Sequence, residues 1–331
     1  MDENSPETER DHSTRRQFLE RVALSAAGAA ALSAGGAAAG AEDAAASAAL
    51  PELRLGPHSL SRLILGGNPI YGHSHFNHLY SRHLVEYHTP ERVVELVRAA
   101  TAAGITAWQN SYDPRTLDDV ERCRDVGLRF HWLLLGKPDW DSRPAIIEEV
   151  AKRKPIGIAP HGALAERLHR SGKLDVLKDL LARIRGTGVL VGLSAHDPRL
   201  IELSEREGWD VDYYMCCLYY LTRPREETAK LLPQIPLGEI YLPDDRGRML
   251  GVIRSARKPC LAYKVLAAGR ADLSEGGIRK AFEETLSGIK PGDGMIVGMF
   301  QEFGDQVAMN ARIVREIGAT KAPGAGSEPR N

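Results

Sequence analysis

The chain has 331 residues, of which 43% are hydrophobic and 26% charged, as in an ordinary globular protein. Its 43 Lys and Arg residues are balanced by 44 Asp and Glu residues, so no overall basic field indicates binding to nucleic acid or to an anionic membrane. The length suits one large domain or two medium ones. The four cysteines show no CxxC or metal-ligand spacing and are predicted to be buried thiols.

The first 50 residues are predicted to be an export signal followed by an Ala-rich linker. The letters STRRQFL at 13–19 precede a weakly apolar Ala/Gly-rich run at 22–40, and together they resemble a twin-arginine signal. Small residues at 39–41 offer a cleavage site. This resemblance implies that the twin-arginine export machinery carries the folded protein to the periplasm or another extracytoplasmic space. No other segment reaches the roughly 20 apolar residues of a membrane span, so no span is expected after cleavage.

From residue 51 onward, short apolar runs alternate with amphipathic segments. A hairpin over 53–67 turns at Gly56-Pro57 and leads into a first buried strand. The later apolar runs predict strands at 105–109, 130–135, 156–159, 189–193, 211–217, 260–265 and 295–297. The amphipathic segments predict helices at 90–103, 117–126, 145–151, 174–184, 200–207, 246–256, 278–289 and 305–317.

About eight strand–helix units in about 270 residues predict a parallel (β/α)8 TIM barrel over residues 51–318. The main alternative is an open doubly wound sheet, but no Gly-rich GxGxxG turn supports it. The remaining residues, 319–331, are rich in Gly, Pro and Ser and are predicted to be a disordered tail.

Polar residues follow two of the predicted strands at the end where parallel α/β folds bind their ligands. The apolar run at 156–159 is stopped by Pro160 and followed by His161. The run at 189–193 ends at Ser194. The pattern therefore places His161 and Ser194 at a candidate ligand-binding edge.

Four segments, in chain order, resemble the aldo/keto reductase family over nearly the whole chain after the leader. They are LRLGPHSLSRLILGGNPIYG at 53–72, VGLSAHDP at 191–198, LAYKVLAAG at 261–269, and IVGMF at 296–300 with the following residues 306–310. The resemblance implies a TIM barrel that reduces carbonyl groups with NADP(H) or NAD(H). In that family a Tyr donates the proton, a Lys tunes it, an Asp supports the Lys, and a His orients the carbonyl.

The resemblance carries these catalytic roles onto four residues. His161 and Lys137 stand at the positions of the family's His and Lys, and Tyr112 stands near that of the Tyr. Gln109 stands where the Asp is expected. The implied protein is an exported oxidoreductase that acts on a carbonyl or hydroxyl group of a small molecule, with a sugar-like molecule as one option.

The resemblance also implies contacts with the nicotinamide cofactor. Tyr263 matches the aromatic residue that stacks on the nicotinamide ring, and Ser194 matches a contact of its carboxamide. Ala195 and Met215 replace the usual Asn and Gln. The further cofactor-binding residues implied are Lys264, Gly298 and Asn310.

A histidine-rich segment at 68–88 follows the first barrel strand and leaves alternatives open. His73, His75 and His78, with His161 or His196, could build a metal site, although their spacing is not diagnostic. The other interpretation is a polar, aromatic lid. Alternative functions on the same barrel are a nicotinamide-independent isomerase, epimerase or lyase that depends on a metal or on acid–base groups, and a non-catalytic ligand-binding protein. Separately, Lys264 could form a Schiff base at the barrel mouth if it is desolvated, as in aldolase chemistry.

Overall fold

The structure, a computed structural model, describes residues 49–320. Eight parallel strands close into a barrel in which they follow one another around the ring in chain order. The chain is therefore a (β/α)8 TIM barrel, as the strand–helix alternation predicts. The predicted export signal and most of the predicted tail lie outside the described residues, while residues 319 and 320 still belong to the last helix.

The strands comprise an antiparallel hairpin and the eight barrel strands. The hairpin consists of β1 (Glu52–Leu55) and β2 (His58–Ser61). The barrel strands are β3 (Leu63–Gly66), β4 (Ala107–Ser111), β5 (His131–Leu135), β6 (Gly157–Ala159), β7 (Leu190–Ala195), β8 (Tyr213–Cys217), β9 (Cys260–Tyr263) and β10 (Gly294–Gly298).

The helices surround the barrel in the same order. They are α1 (His78–Tyr87), α2 (Pro90–Ala102), α3 (Pro114–Asp125), α4 (Ile146–Ala151), α5 (Gly162–Arg170), α6 (Leu174–Gly186), α7 (Pro198–Glu207), α8 (Arg225–Ala229), α9 (Pro243–Ser255), α10 (Glu275–Gly288) and α11 (Gln306–Thr320). Their apolar faces and the outward-facing strand residues form the larger of two hydrophobic cores.

The hairpin closes the amino-terminal end of the barrel. Leu53, Leu55 and Leu60 are buried with the inward-facing barrel residues in the second, smaller core. Gly56, at the hairpin turn, has φ 56°, a left-handed conformation that glycine adopts without steric cost. This end of the barrel is thus filled with apolar side chains, and a ligand can enter only at the opposite end.

Inside the barrel, the fully buried Tyr213 fills space that two glycines leave open. A Cβ atom on Gly192 would lie 2.4 Å from the Tyr213 ring, and one on Gly157 would lie 3.0 Å from it. In this layer of the barrel interior, the large Tyr213 side chain fills the space beside Gly157 and Gly192.

Three helices were not predicted: α1, α5 and the five-residue α8. Helix α1 begins inside the histidine-rich segment, where the Asn77 side chain caps it by accepting a hydrogen bond from the Tyr80 N–H. Helix α5 directly follows His161, and it is short and begins with a glycine. Its apolar residues Leu164 and Leu168 do recur at helical spacing, so the sequence carried a signal for this helix.

Two further features can be checked within residues 49–320. All four cysteines are free and buried, which confirms the prediction of buried thiols. None of the helices described is both long and apolar enough to cross a membrane.

Candidate active site

A cavity opens at the carboxyl ends of the strands, between β3, β9 and β10. Its walls come from these strand ends, from the segment before α1, from the turn after β9 and from α11. The lining residues that carry polar or aromatic groups are Asn68, His73, Ser74, His75, Tyr80, Gln109, Tyr263, Lys264, Phe300, Gln306 and Asn310. The cavity therefore combines an apolar wall with a few convergent polar groups, as ligand sites do.

Tyr263 is the last residue of β9 and lies across the mouth from β7. Its hydroxyl is 3.3 Å from the Ser194 hydroxyl, so these two predicted cofactor residues form a hydrogen-bonded pair. The Tyr263 ring also meets the His196 imidazole edge to face at 5.8 Å between centroids. Burial raises the pKa of Tyr263 well above its ordinary value, so the phenol keeps its proton.

Lys264 follows Tyr263 in a left-handed conformation with φ 64°. Its Nζ is buried at the cavity and has no hydrogen-bond partner among the described residues. Burial lowers the pKa of Lys264 to about 8, although nearby Cys217 and Glu239 act in the opposite direction. Near neutral pH about a tenth of Lys264 is therefore the uncharged amine, a far larger fraction than for a solvated lysine.

Glu239 supplies a carboxylate that sequence reasoning missed, since it comes from the long excursion between β8 and α9. It lies 2.7 Å from the His75 Nδ1 and accepts a hydrogen bond of 2.9 Å from the Tyr241 hydroxyl. Burial alone raises the pKa of Glu239, but the His75 hydrogen bond and the nearby positive charges outweigh it and lower the pKa to about 2. Glu239 is therefore ionised at the edge of the site.

His161 caps helix α5. Its Nδ1 accepts a hydrogen bond of 3.1 Å from the Ala163 backbone N–H. Burial, together with the charge of His196, lowers the pKa of His161 to about 3. The imidazole is therefore neutral, and its one proton sits on Nε2, from which it can be donated to a ligand.

A buried carboxylate, Glu166 on α5, binds the end of β7. It accepts hydrogen bonds from the backbone N–H groups of His196 and Asp197 and from the Thr222 hydroxyl. Its other contact is with the His196 Nδ1 at 3.4 Å. Burial raises the pKa of Glu166, but these hydrogen bonds outweigh it, so the net pKa is lowered. The carboxylate thus fixes His196 at the mouth, beside His161.

Of the other predicted catalytic residues, Gln109 is among those that line the cavity, whereas Tyr112 and Lys137 are not. Gln109 is buried in the middle of β4. Tyr112 lies just beyond this strand with its ring edge-on to Trp140, 5.8 Å between centroids. Lys137 lies 3.7 Å from the Asp113 carboxylate, so this lysine has a carboxylate partner that the sequence comparison did not identify. Within residues 49–320 no hydrogen bond joins Tyr112 to Lys137.

The remaining predicted cofactor residues lie on the far wall of the cavity. Gly298 ends β10, and a Cβ atom there would lie 2.7 Å from Pro69. The Asn310 side chain is buried on α11, and its Oδ1 has no hydrogen-bond partner among the described residues. Arg312, on the same helix, pairs with Glu275 at 2.8 Å and with Glu316 at 3.3 Å. An unsatisfied buried acceptor such as Asn310 Oδ1 indicates a site for a donor group of a ligand.

The histidines of the 68–88 segment divide between the cavity and the surface. His73 and His75 line the cavity, and burial lowers the pKa of each. His78 begins α1 and is exposed, because the helix turns it away from the other two. In the part of the chain that the structure describes, no group of three His, Cys, Asp or Glu side chains is arranged to hold a metal ion.

Comparison with known proteins adds no family assignment. No family model matches the chain, and no curated protein matches its sequence. Similar solved structures include a truncated 3-deoxy-D-arabino-heptulosonate 7-phosphate synthase from Thermotoga maritima, at 13% identity and TM-score 0.49, covering 82% of this chain and 92% of that one. The β-glycosidase BGL167 matches at 12% identity and TM-score 0.44, covering 73% of this chain and 89% of that one. Orotidine 5′-phosphate decarboxylase from Pyrococcus horikoshii OT3 matches at 12% identity and TM-score 0.38, covering 69% of this chain and 93% of that one.

These similarities are too weak to indicate an activity. The proteins differ from one another in the reactions that their names describe, and functions vary widely on this fold. The closed barrel defines the chain as a TIM-barrel protein, and any more specific function has to be argued from the site.

Proposed function

We propose that this protein is an oxidoreductase that uses NADP(H) or NAD(H) to act on a carbonyl or hydroxyl group of a small polar molecule. The observation that carries the proposal is the cavity between the ends of β9 and β10. Four of the five residues expected to bind a nicotinamide cofactor line this one cavity: Tyr263, Lys264, Gly298 and Asn310. The fifth, Ser194, is hydrogen-bonded to Tyr263.

The residues of the cavity fit a dinucleotide in three respects. The Tyr263 ring offers an aromatic surface at the mouth, and the orphaned Asn310 Oδ1 offers an acceptor for an amino group. Lys264 supplies a cation in the same cavity for an anionic group. Arg312 is engaged by two glutamates, so this arginine does not favour a 2′-phosphate, and both cofactors remain candidates.

The chemistry supplied by a bound nicotinamide is hydride transfer to or from carbon. The residues of this chain would orient the substrate and move the accompanying proton. His161 would donate its Nε2–H to the carbonyl oxygen, because its Nδ1 is held by the backbone of α5. In this proposal Tyr112 donates the proton, and Lys137, which lies 3.7 Å from the Asp113 carboxylate, is the cation expected to act with it.

A direct binding titration tests the proposal. We expect NADPH or NADH to bind the purified protein in the micromolar range, followed by the change in nicotinamide fluorescence. Asn310→Leu should weaken binding about tenfold, because it removes the acceptor that a ligand amino group would satisfy. Asn77→Ser changes an exposed asparagine outside the cavity while keeping a good helix cap, so it should bind like the wild type.

Thermal melting of each variant shows whether it is folded. Failure of both nucleotides to bind a folded wild-type protein would overturn the proposal. It would favour the nicotinamide-independent isomerase, epimerase or lyase, or the ligand-binding protein without activity.

We further propose that the protein is exported to the periplasm or another extracytoplasmic space through the twin-arginine pathway. The support is the sequence STRRQFL with the Ala/Gly-rich run that follows it, which lie outside the described residues. Replacing Arg15 and Arg16 by Lys in the full chain should abolish export in a cell with this machinery, as measured by fractionation. Unchanged export of the double variant would contradict the assignment.

A further inference from the structure

Lys264 differs from other lysines of the barrel in having a buried amine without a partner. Its Nζ has no hydrogen-bond partner within residues 49–320. By contrast, Lys290 bonds the Asp293 carboxylate at 2.9 Å and the Ile253 carbonyl at 2.6 Å. Lys258 donates to the backbone carbonyls of Trp209 and Val211. A buried ammonium without such partners is costly, which favours the uncharged amine.

The backbone holds this amine in place at the cavity. Lys264, Ala267 and Ala268 all have positive φ angles, at 64°, 49° and 52°. Such conformations are unfavourable for residues with a Cβ atom and tend to occur at functional sites. The turn is fixed on one side by Tyr263, hydrogen-bonded to Ser194, and on the other by the hydrogen bond from Ala267 N–H to the Lys264 carbonyl. The amine is therefore presented by a rigid turn rather than by a mobile loop.

Groups able to exchange protons surround the same opening. His73 and His75 line the cavity with Lys264, and burial lowers the pKa of both imidazoles. His75 is held by the Glu239 carboxylate, which is close enough to Lys264 to influence its ionisation. A desolvated amine with a lowered pKa, beside imidazoles that can carry protons, is the setting in which a lysine acts as a nucleophile.

We propose that Lys264 is a nucleophilic lysine that forms an imine with small aldehydes and ketones entering the cavity. The Nζ lone pair forms a bond to the carbonyl carbon, and the carbonyl π electrons move to oxygen, which takes up a proton. Loss of one proton from nitrogen gives the carbinolamine, whose hydroxyl takes up a proton and leaves as water to form the C=N bond of an iminium ion. Loss of the second proton from nitrogen gives the neutral imine. Carbonyl compound and amine thus yield imine and water, with no oxidant or reductant, and an imidazole such as His75 can carry the protons.

This inference goes beyond the proposed oxidoreductase function and does not depend on it. It would supply a covalent anchor for aldol-type or isomerisation chemistry, which needs an electron-accepting imine. The competing explanation is that Lys264 only attracts an anionic group by its charge. An uncharged probe separates the two, since it offers a carbonyl group and no negative charge.

The experiment is reductive trapping with dihydroxyacetone or glycolaldehyde and sodium cyanoborohydride. Cyanoborohydride delivers hydride to the imine carbon, and water protonates the nitrogen, which leaves a stable secondary amine. We expect one adduct per chain by intact mass and its location at Lys264 by peptide mapping. Labelling should be half-maximal near the pH at which the amine loses its charge, about 8.

Three variants sharpen the result. Lys264→Arg keeps the positive charge but cannot form the imine. Lys264→Met removes both the positive charge and the amine. Each variant should therefore lose the adduct. Lys178→Arg replaces a surface lysine paired with Glu207 and should label like the wild type. Thermal melting confirms that each variant is folded. The peptide map of the wild-type protein locates the adduct without relying on any variant.

Labelling spread over exposed lysines without preference for Lys264 would overturn the proposal, as would equal labelling of folded Lys264→Arg. Pyrophosphate binding lost in Lys264→Met but kept in Lys264→Arg, without any wild-type adduct, would assign the residue as an anion contact only. The nicotinamide titration is run on the same samples. An adduct without nucleotide binding supports the imine and contradicts the oxidoreductase, and nucleotide binding without an adduct does the reverse.

Discussion

The two ends of the barrel are built in opposite ways. At the amino-terminal end, Leu53, Leu55 and Leu60 of the hairpin are buried against the inward-facing strand residues. At the carboxyl-terminal end, buried ionisable groups such as Lys264 and Glu166 face the mouth. The first end removes apolar surface from water and stabilises the fold. The second end holds polar groups where little water reaches them, which lowers the stability of the fold but leaves these groups available to a ligand.

This difference explains why the site can be sought at one end only. A TIM barrel places strand ends, and the loops after them, on a single face, while the opposite face can be closed without loss of function. Here the hairpin closes it completely with apolar side chains. Substitutions at the two ends should therefore separate stability from binding.

The largest effect is expected at the closed end. Leu55 is fully buried in the inner core, so Leu55→Ala should lower the free energy of unfolding by about 2–5 kcal/mol, through lost apolar burial and the cavity left behind. The measurement is urea denaturation followed by circular dichroism. Binding of carbonyl probes or nucleotides by the fraction that remains folded should not change.

Leu237 provides the matched control, because its side chain is fully exposed. Leu237→Ala should change the free energy of unfolding by no more than about 0.5 kcal/mol. If Leu55→Ala were as mild as this control, the hairpin would not be the apolar closure described above.

The apolar periodicity was sufficient to predict the barrel, because buried parallel strands and amphipathic helices leave a strong pattern in the sequence. It also placed His161 and Ser194 at the ligand-binding end, since position after a strand fixes the face. The same pattern says nothing about Glu239, which contacts His75 although the two residues are 164 positions apart in the sequence. Such contacts depend on how loops fold back over the mouth.

Some features of the site were misjudged for local physical reasons. The histidine-rich segment looks irregular, yet helix α1 forms there because Asn77 caps it, and this leaves His78 exposed and apart from His73 and His75. Gln109 stands where the family's supporting Asp is expected, but another carboxylate, that of Asp113 at the cap of α3, lies 3.7 Å from Lys137. Lys264 offered no sequence signal of activation, since desolvation is a property of the assembled cavity.

A smaller effect, on the order of 3 kcal/mol, is expected at the open end and depends on pH. The pKa of Lys264 is about 8 in the folded protein, below its ordinary value of 10.5. Between these values the unfolded chain holds one more proton than the folded chain, so stability should rise with pH across this window. Below about pH 8 both states are protonated, and the full cost of the buried charge is present.

Lys264→Met removes this titration while leaving the rest of the cavity in place. The variant should therefore be more stable relative to the wild type below pH 8, and the difference should shrink steadily as the pH approaches 10.5. Any packing effect of the methionine is the same at every pH, so the slope alone reports the amine. Urea denaturation of both proteins across this range measures it, and parallel curves would mean that Lys264 is solvated and that the open end carries no such cost.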